Sequence, residues 1–335
     1  MLSLFCVLKA GAAHVIAIEA STMAGVCQEM AAAHGISDRI TVVNSRVEDL
    51  GAELPGLPPG CGGADAIVSE WMGTVRTGFH LCHFMGMCFW QLSVVVCPRQ
   101  GLVGEGMLDS VVRARNMWLK PGGRLLPSTA RVFVSGWQHP ATAELLRLGL
   151  GPAASLLGQR LLEEWRGRPI LTALPPSAVC TTSVCIADLN LCTAECDTDL
   201  TELVSERSIE LTVRNSPVNE EAVERPDEVV WAGSCIWWET GFSDDQDHDN
   251  LRSVVLTTAP GLAPTHWGQL LLVDDSPPRL LRQGDTVSSM TDQMSTVSIQ
   301  FCSCPWMNVL SFAGWFTFCP SGKVGGAKNH TRPWL

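Results

Sequence analysis

Short apolar runs separated by polar, glycine-rich breaks recur through the first third of the chain, and their spacing predicts strands alternating with helices. Residues 2–9 read as the end of a helix, closed by Ala10-Gly11. Residues 15–18 form an apolar β-branched strand that ends in Glu19. Ser21 then caps a helix running to about residue 34, with Gly35 as its stop. Residues 40–43 are the next strand, leading to Ser45 and to Val47-Glu48-Asp49. A loop rich in Pro and Gly fills residues 51–63 and is followed by a short, mostly apolar strand at 64–68. Residues 107–120 have helical periodicity and stop at Pro121-Gly122-Gly123; Leu125-Leu126-Pro127 starts another strand. Such alternation predicts a parallel sheet with helical crossovers, closing near residue 127.

The second half has a different texture. Residues 141–166 carry a helical pattern broken near Pro152. Short β-rich runs follow at 209–213, 229–242, 253–258, 269–273 and 295–301, separated by turns rich in Pro, Asp and Gly. This pattern predicts an antiparallel sandwich or barrel over residues 128–319. The tail, residues 320–335, carries no readable signal.

Composition narrows the classes. At 335 residues with 46% hydrophobic positions the chain can bury two cores. A net charge of −11 argues against direct nucleic-acid binding and suits basic partners. No secretory leader is read at Met1, and the expected compartment is the cytoplasm or nucleus. The 14 cysteines include no CxxC pair, so no metal site is expected; buried free thiols are the preferred reading, also for the clusters Cys82, His83, Cys88 and Cys302, Cys304. The acidic loop at 243–250 reads as a solvated turn. Tyrosine is absent, for which there is no physical account.

The candidate chemistry lies at Ser69-Glu70-Trp71-Met72-Gly73. A polar residue and a glutamate just after a strand fall at its carboxyl end, where open α/β sheets keep their sites. A second carboxylate, Glu105, opens Glu-Gly-Met-Leu-Asp-Ser-Val. Two carboxylates facing one pocket suit a flat cation: a guanidinium stays protonated and presents a fork of donors. Glu19, at a strand tip, reads equally as an acceptor for ribose hydroxyls or as a solvated helix cap. That acid alone also fits a nicotinamide-dependent oxidoreductase, against which the absent glycine fingerprint counts.

Ser69 to Gly73, the Glu105 segment and Trp118-Leu-Lys-Pro-Gly-Gly resemble the double-glutamate loop of the protein arginine methyltransferases, which are S-adenosylmethionine (SAM) enzymes. Lys9-Ala-Gly-Ala12 and Val15-Ile-Ala-Ile-Glu19-Ala-Ser21 resemble the family's stretch through its ribose-binding acid, and residues 40–50 its adenine-contacting stretch. Pro264-Thr265-His266-Trp267 resembles its Thr-His-Trp loop. The resemblance implies a partial Rossmann-like SAM-methyltransferase sheet over 1–127, then an antiparallel β-barrel over 128–319 with a helical dimerisation arm at 141–166. It implies methyl transfer from SAM to arginine in arginine-rich proteins such as histones or RNA-binding proteins, by a homodimer. Glu70, Glu105 and His266 would be catalytic. Glu19, Ala20, Ser45, Val47, Glu48 and Glu70 would hold the cofactor, and Trp71, Met72, Thr265 and Trp267 the substrate. In the family the His of this loop pairs with an acid from an N-terminal helix.

Two departures accompany the likeness. The family's first strand and glycine loop would precede Leu2, so the chain reads as N-terminally truncated. Residues 74–104, 31 in all, separate Gly73 from Glu105 where the family has about five. A membrane helix, a folded lid and retained non-coding sequence compete for this insert, the last being preferred. Its added loop entropy is only roughly 1.6 kcal/mol; displacement of the glutamates is the larger effect. A catalytically inactive partner of active methyltransferases is therefore the alternative function.

Overall fold

The computed structural model describes residues 7–72, 94–96, 107–166, 170–195, 209–214, 227–242, 254–274, 278–289, 298–304, 307–313 and 316–319. Residues 7–9 are helical. Strand β1 (Val15–Ile18) pairs in parallel with β2 (Ile40–Val43), and helix α1 (Met23–Ala33) connects them. Helix α1 starts two residues after Ser21: the hydroxyl of Ser21 accepts the Met23 N–H at 3.2 Å, and Glu19 accepts the Ser21 N–H at 2.8 Å. Strand β3 is Ala64–Val68 and β4 is Val94–Val96. Helix α2 (Leu108–Trp118) runs into β5 (Leu119–Leu126), which pairs in parallel with β3.

Pro121-Gly122-Gly123 does not end a helix as expected. Strand β5 begins at Leu119, directly after α2, and the register slips between Ala64↔Leu119 and Ala66↔Arg124. The Pro-Gly-Gly segment is the surplus that this irregularity absorbs.

Helix α2 buries Leu108, Val111, Val112, Ala114 and Trp118, spaced three or four apart on one face. Leu54, Ala114 and Trp118 gather Ile16 and Ile18 of β1, Ile67 of β3, and Val47, Leu50 and Leu57 into one core, and Trp118 donates its indole N–H to the Gly51 carbonyl at 3.2 Å. The two parallel pairs are thus packed together although no hydrogen-bonded ladder joins them among the described residues. Next to Val111 and Val112, Arg115 of α2 donates to the carbonyls of Leu191 and Ala194, which ties this half to the next.

The second half starts with β6 (Thr129–Trp137). Helices α3 (Pro140–Arg147) and α4 (Gly151–Leu162) follow, so the helical pattern breaks just before Pro152, which sits in the first turn of the second helix. Strands β7 (Ile170–Thr172), β8 (Val179–Asn190), β9 (Glu210–Thr212), β10 (Glu228–Trp231), β11 (Gly233–Gly241), β12 (Val255–Thr257) and β13 (Gln269–Val273) come next. The last are β14 (Arg279–Arg282), β15 (Thr286–Ser289), β16 (Ser298–Cys304), β17 (Met307–Ala313) and β18 (Phe316–Cys319). The main sheet runs β7-β13-β11-β6-β8 with β12 also on β11, all antiparallel. Strands β10 and β14 form a ribbon, β18-β15-β9 a small sheet, and β16-β17-β4 another.

These sheets do not close into a barrel among the described residues, which corrects the barrel expectation. The run expected at 229–242 is two strands, because Gly233 lies at φ +146 and a Cβ there would meet the Leu272 carbonyl oxygen at 2.0 Å. The insert reaches the described structure only at β4, which pairs with β17. The rest of it, with Cys82, His83 and Cys88, and the acidic loop at 243–250 lie outside the described residues, as does the tail from Pro320. No described helix is long and apolar enough to cross a membrane. The thiols of Cys27, Cys180 and Cys235 are buried, whereas those of Cys61, Cys185 and Cys192 are exposed, so burial accounts for only part of the cysteine content. Burial pushes the Cys235 thiol up to about 12, which leaves it inert at neutral pH.

Two measurements follow from this packing. At Gly136 a Cβ would meet Trp231 Cζ3 at 2.1 Å and Thr181 Cγ2 at 2.7 Å. Gly136→Ala is expected to cost about 1–3 kcal/mol in urea unfolding, the usual range for overpacking; an unchanged midpoint would mean that Trp231 moves freely. His139, the cap of α3, accepts the Ala141 N–H on Nδ1 at 3.2 Å. Burial lowers its pKa, so the unfolded chain takes up the proton more readily. Stability should be full above the ordinary imidazole value of about 6.5 and fall as pH drops below it. His139→Asn, which keeps a cap acceptor, should flatten that part of the pH–stability curve.

Candidate functional site

Four residues singled out in the sequence, two carboxylates and two serines, stand just past strand ends. Glu19 follows β1, Ser45 follows β2, and Ser69-Glu70 follow β3. Asn44, which sequence reasoning overlooked, ties the first two ends together. Its side-chain amide donates to the Glu19 carbonyl at 2.8 Å and to the Ser21 carbonyl at 3.1 Å. The side-chain hydroxyl and then the backbone N–H of Ser21 hold the Glu19 carboxyl below the usual range, so it is an ionised acceptor. Ala20 is exposed beside it.

Glu48 lies in the 3-10 turn Val47–Asp49 just past β2. Ser110 of α2 donates its hydroxyl to Glu48 Oε1, and Arg46 Nε sits 3.3 Å from Oε2. The Ser110 bond is the first cause of a lowered Glu48 pKa. Ser110, 62 positions away in sequence, carries no local signal that could have marked it. Val47 packs into the core beneath this turn.

The rim after β3 is built differently. The Ser69 N–H donates to the Leu126 carbonyl at 3.0 Å, which continues the β3–β5 pairing to the start of the loop. Trp71 is fully buried and Met72 nearly so, in one cluster with Leu108, Val112, Leu189, Leu191, Trp238 and Trp267. The Trp267 indole N–H donates to the Met72 carbonyl at 3.0 Å, across 195 positions of sequence. Trp238 of β11 meets Trp267 edge-on at 5.2 Å. Gly268, at φ +59, lets the chain turn after Trp267, where a Cβ would meet the Thr172 carbonyl oxygen at 2.8 Å. Trp71, Met72 and Trp267, expected to line a substrate surface, are therefore core residues that fix the loops. Thr265 Oγ1 and Trp71 Nε1 are buried with no hydrogen-bond partner.

Glu70 and His266 emerge from this buried anchor into solvent. Their side chains are 65% and 66% exposed, and His266 Nε2 lies 3.9 Å from Glu70 Oε1. Among the described residues, an acid within ion-pair reach of this histidine is Glu70. Gly73 and Glu105 lie outside the described residues. No cluster of three or more potential metal ligands occurs among the described residues.

No family model matches the chain. It is 30% identical over 285 residues to a probable protein arginine N-methyltransferase 3 of Arabidopsis thaliana, covering 83% of this chain and 40% of that protein. It is 28% identical over 311 residues to protein arginine N-methyltransferase 6 of Xenopus laevis, covering 89% of this chain and 73% of that protein. The chain spans 40% and 45% of the lengths of the Arabidopsis relative and its rice counterpart, less than half of each. Among solved structures, Arabidopsis thaliana protein arginine methyltransferase 10 superposes with a TM-score of 0.55 at 22% identity, over 92% of this chain and 84% of that one. The Trypanosoma brucei PRMT1 enzyme-prozyme heterotetrameric complex with AdoHcy does so with a TM-score of 0.57 at 20% identity, over 95% and 84%.

These likenesses show the shared fold alone: a Rossmann-like part followed by a part of antiparallel sheets. In sequence the chain is similar to protein arginine N-methyltransferases, and it shares the fold of solved members.

The anchor between the two loops is directly testable. Trp267→Phe keeps a ring but removes the donor, leaving the Met72 carbonyl buried without it. A loss of about 1–3 kcal/mol in denaturant unfolding is expected; no loss would show that water or another donor replaces the indole.

Proposed function

We propose that the chain is a SAM-dependent protein arginine N-methyltransferase. The observation that carries this reading is the exposed carboxylate of Glu70, at the carboxyl end of β3, on a loop held by the Trp267–Met72 bond. An arginine side chain stays charged at any working pH and offers paired N–H donors, which the two oxygens of Glu70 can accept together. Glu105 would supply the second carboxylate. Held so, the guanidinium cannot rotate, and lone-pair density is concentrated on the nitrogen to be methylated. Most of the rate would come from this positioning and from carboxylates aimed at the developing charge.

The donor set at the tips of β1 and β2 fits the cofactor. Glu19 is ionised and engages Ser21 through Oε1, so it retains acceptor capacity for ribose hydroxyls. Ala20, Ser45, Val47 and Glu48 would form the adenosine end of the site. SAM, when bound, supplies an electrophilic methyl group on a sulfonium.

The net charge of −11 suits arginine-rich targets, of which histones and RNA-binding proteins are the candidates, in nucleus or cytoplasm. The α3–α4 pair would serve as the arm of a homodimer. It buries Thr142, Leu146, Ala154, Gly158 and Leu162 and turns Leu148, Leu156, Leu157 and Leu161 outward. A second reading, an inactive partner of active methyltransferases, is favoured by the 31 residues between Gly73 and Glu105.

Glu70→Gln should abolish methyl transfer to an arginine-rich peptide while SAM affinity stays within about threefold, since each hydrogen bond to a charged group is worth about 1.5–3 kcal/mol and the guanidinium loses an ionised partner. Full activity in Glu70→Gln would sink the assignment. The double variant Leu156→Glu, Leu161→Glu should sediment as a monomer where the parent chain sediments as a dimer; an unchanged dimer would place the interface elsewhere.

A further inference from the structure

The bonding just past β1 and β2 departs from a regular parallel ladder at one residue. The register that pairs Ile18 with Val43 continues to Glu19, whose N–H donates to the Val43 carbonyl at 3.0 Å. The next rung of such a ladder would run from the Ser45 N–H to the Glu19 carbonyl. That N–H turns back to the Val43 carbonyl at 3.1 Å, as the chain leaves β2 for the turn at Val47–Asp49. The Asn44 side chain supplies the rung in its place. Its amide donates to the Glu19 carbonyl at 2.8 Å and, beyond it, to the Ser21 carbonyl at 3.1 Å. The arch Glu19-Ala20-Ser21 is therefore clamped to the end of β2 at both of its feet. The arch is closed on itself by the Ser21 N–H, which donates to Glu19 Oε1 at 2.8 Å. Backbone and carboxylate of Glu19 are thus fixed by two separate sets of bonds.

We infer that Asn44 is a positioning residue for the cofactor: through the arch it aims the Glu19 carboxylate at the ribose hydroxyls, and so sets the preference for a ligand that carries them. This rests on the reading of Glu19 as the ribose acceptor. A hydroxyl–carboxylate bond weakens steeply once its donor and acceptor are misaligned, so the angle of the arch decides what Glu19 can hold. The strands themselves do not need Asn44. Four residue pairs join β1 to β2, and Ile40, Val15 and Val42 pack with Leu8 and Ala31 on one face while Ile16 and Ile18 pack with Trp118 on the other. Asn44 is exposed, and its loss should cost the fold little. Damage to the fold would weaken every nucleotide alike, whereas a misdirected Glu19 weakens those with ribose hydroxyls.

Calorimetric titration of S-adenosylhomocysteine and of its 2′,3′-dideoxy analogue into the full chain separates the two. The parent chain should prefer the hydroxylated ligand, and Glu19→Ala should remove that preference. Asn44→Leu keeps the size of the side chain and removes both donors. It should weaken S-adenosylhomocysteine about three- to tenfold, the worth of about one hydrogen bond, and leave the dideoxy analogue within about twofold of the parent. Asn44→Ala should do the same, and both variants should unfold at the parent chain's urea midpoint. Unchanged affinity for S-adenosylhomocysteine in both variants, or an equal loss for the two ligands, would overturn the positioning role. If the parent chain binds neither ligand or does not discriminate between them, or if Glu19→Ala keeps the preference, the ribose reading of Glu19 fails and the role of Asn44 falls with it.

Discussion

One buried hydrogen bond, from the Trp267 indole to the Met72 carbonyl, holds the two candidate functional loops to each other. A buried carbonyl left without a donor costs about 1–3 kcal/mol, and the surrounding cluster of Trp71, Trp238, Leu108, Val112 and Leu189 draws on both halves of the chain. The loop after β3 is therefore fixed by the second half as much as by its own strand. Glu70 and His266 owe their separation to this arrangement, because each sits within two residues of a partner in the bond. The candidate site is buried beneath, at Trp71 and Trp267, and exposed above, at Glu70 and His266.

The polar network at β1 and β2 works on the same principle at lower burial. Asn44 spends both hydrogen bonds of its side chain on backbone carbonyls, which sets the angle at which Glu19 leaves the strand. Ser110 does the equivalent for Glu48 from the far side of α2. Helix α2 is thus more than a crossover. Val112 packs into the cluster around Trp71 and Trp118 into that around Leu54, Ser110 holds the turn after β2, and Arg115 reaches the turn after β8.

Periodicity made the parallel pairs and the change to antiparallel texture legible, since apolar runs of four or five residues with a carboxylate at the end have few other meanings. Glu70 and His266 are legible through the short motifs around them, but their proximity is not, because nothing local relates residues so far apart in sequence. Trp71 and Trp267 misled for a related reason: a tryptophan beside a reactive glutamate or histidine looks like a pocket wall, yet here both rings are spent on the core. The boundary at Pro121 failed because Pro-Gly-Gly signals a stop wherever it occurs, while a parallel partner can absorb it as a bulge. The twelve-residue strand β8 escaped notice because Thr181, Thr182 and Ser183 interrupt its apolar alternation; the sheet accommodates them, with Thr181 accepting the Gly136 N–H at 2.6 Å.

If Glu19 and its neighbours bind the cofactor as proposed, the chain takes up SAM, so the most direct measurement is calorimetric titration of SAM into the full chain. Micromolar affinity, lost in Glu19→Ala, is the result expected. A folded sample that takes up no SAM would contradict the methyltransferase reading of this chain and leave the inactive-partner reading in its place.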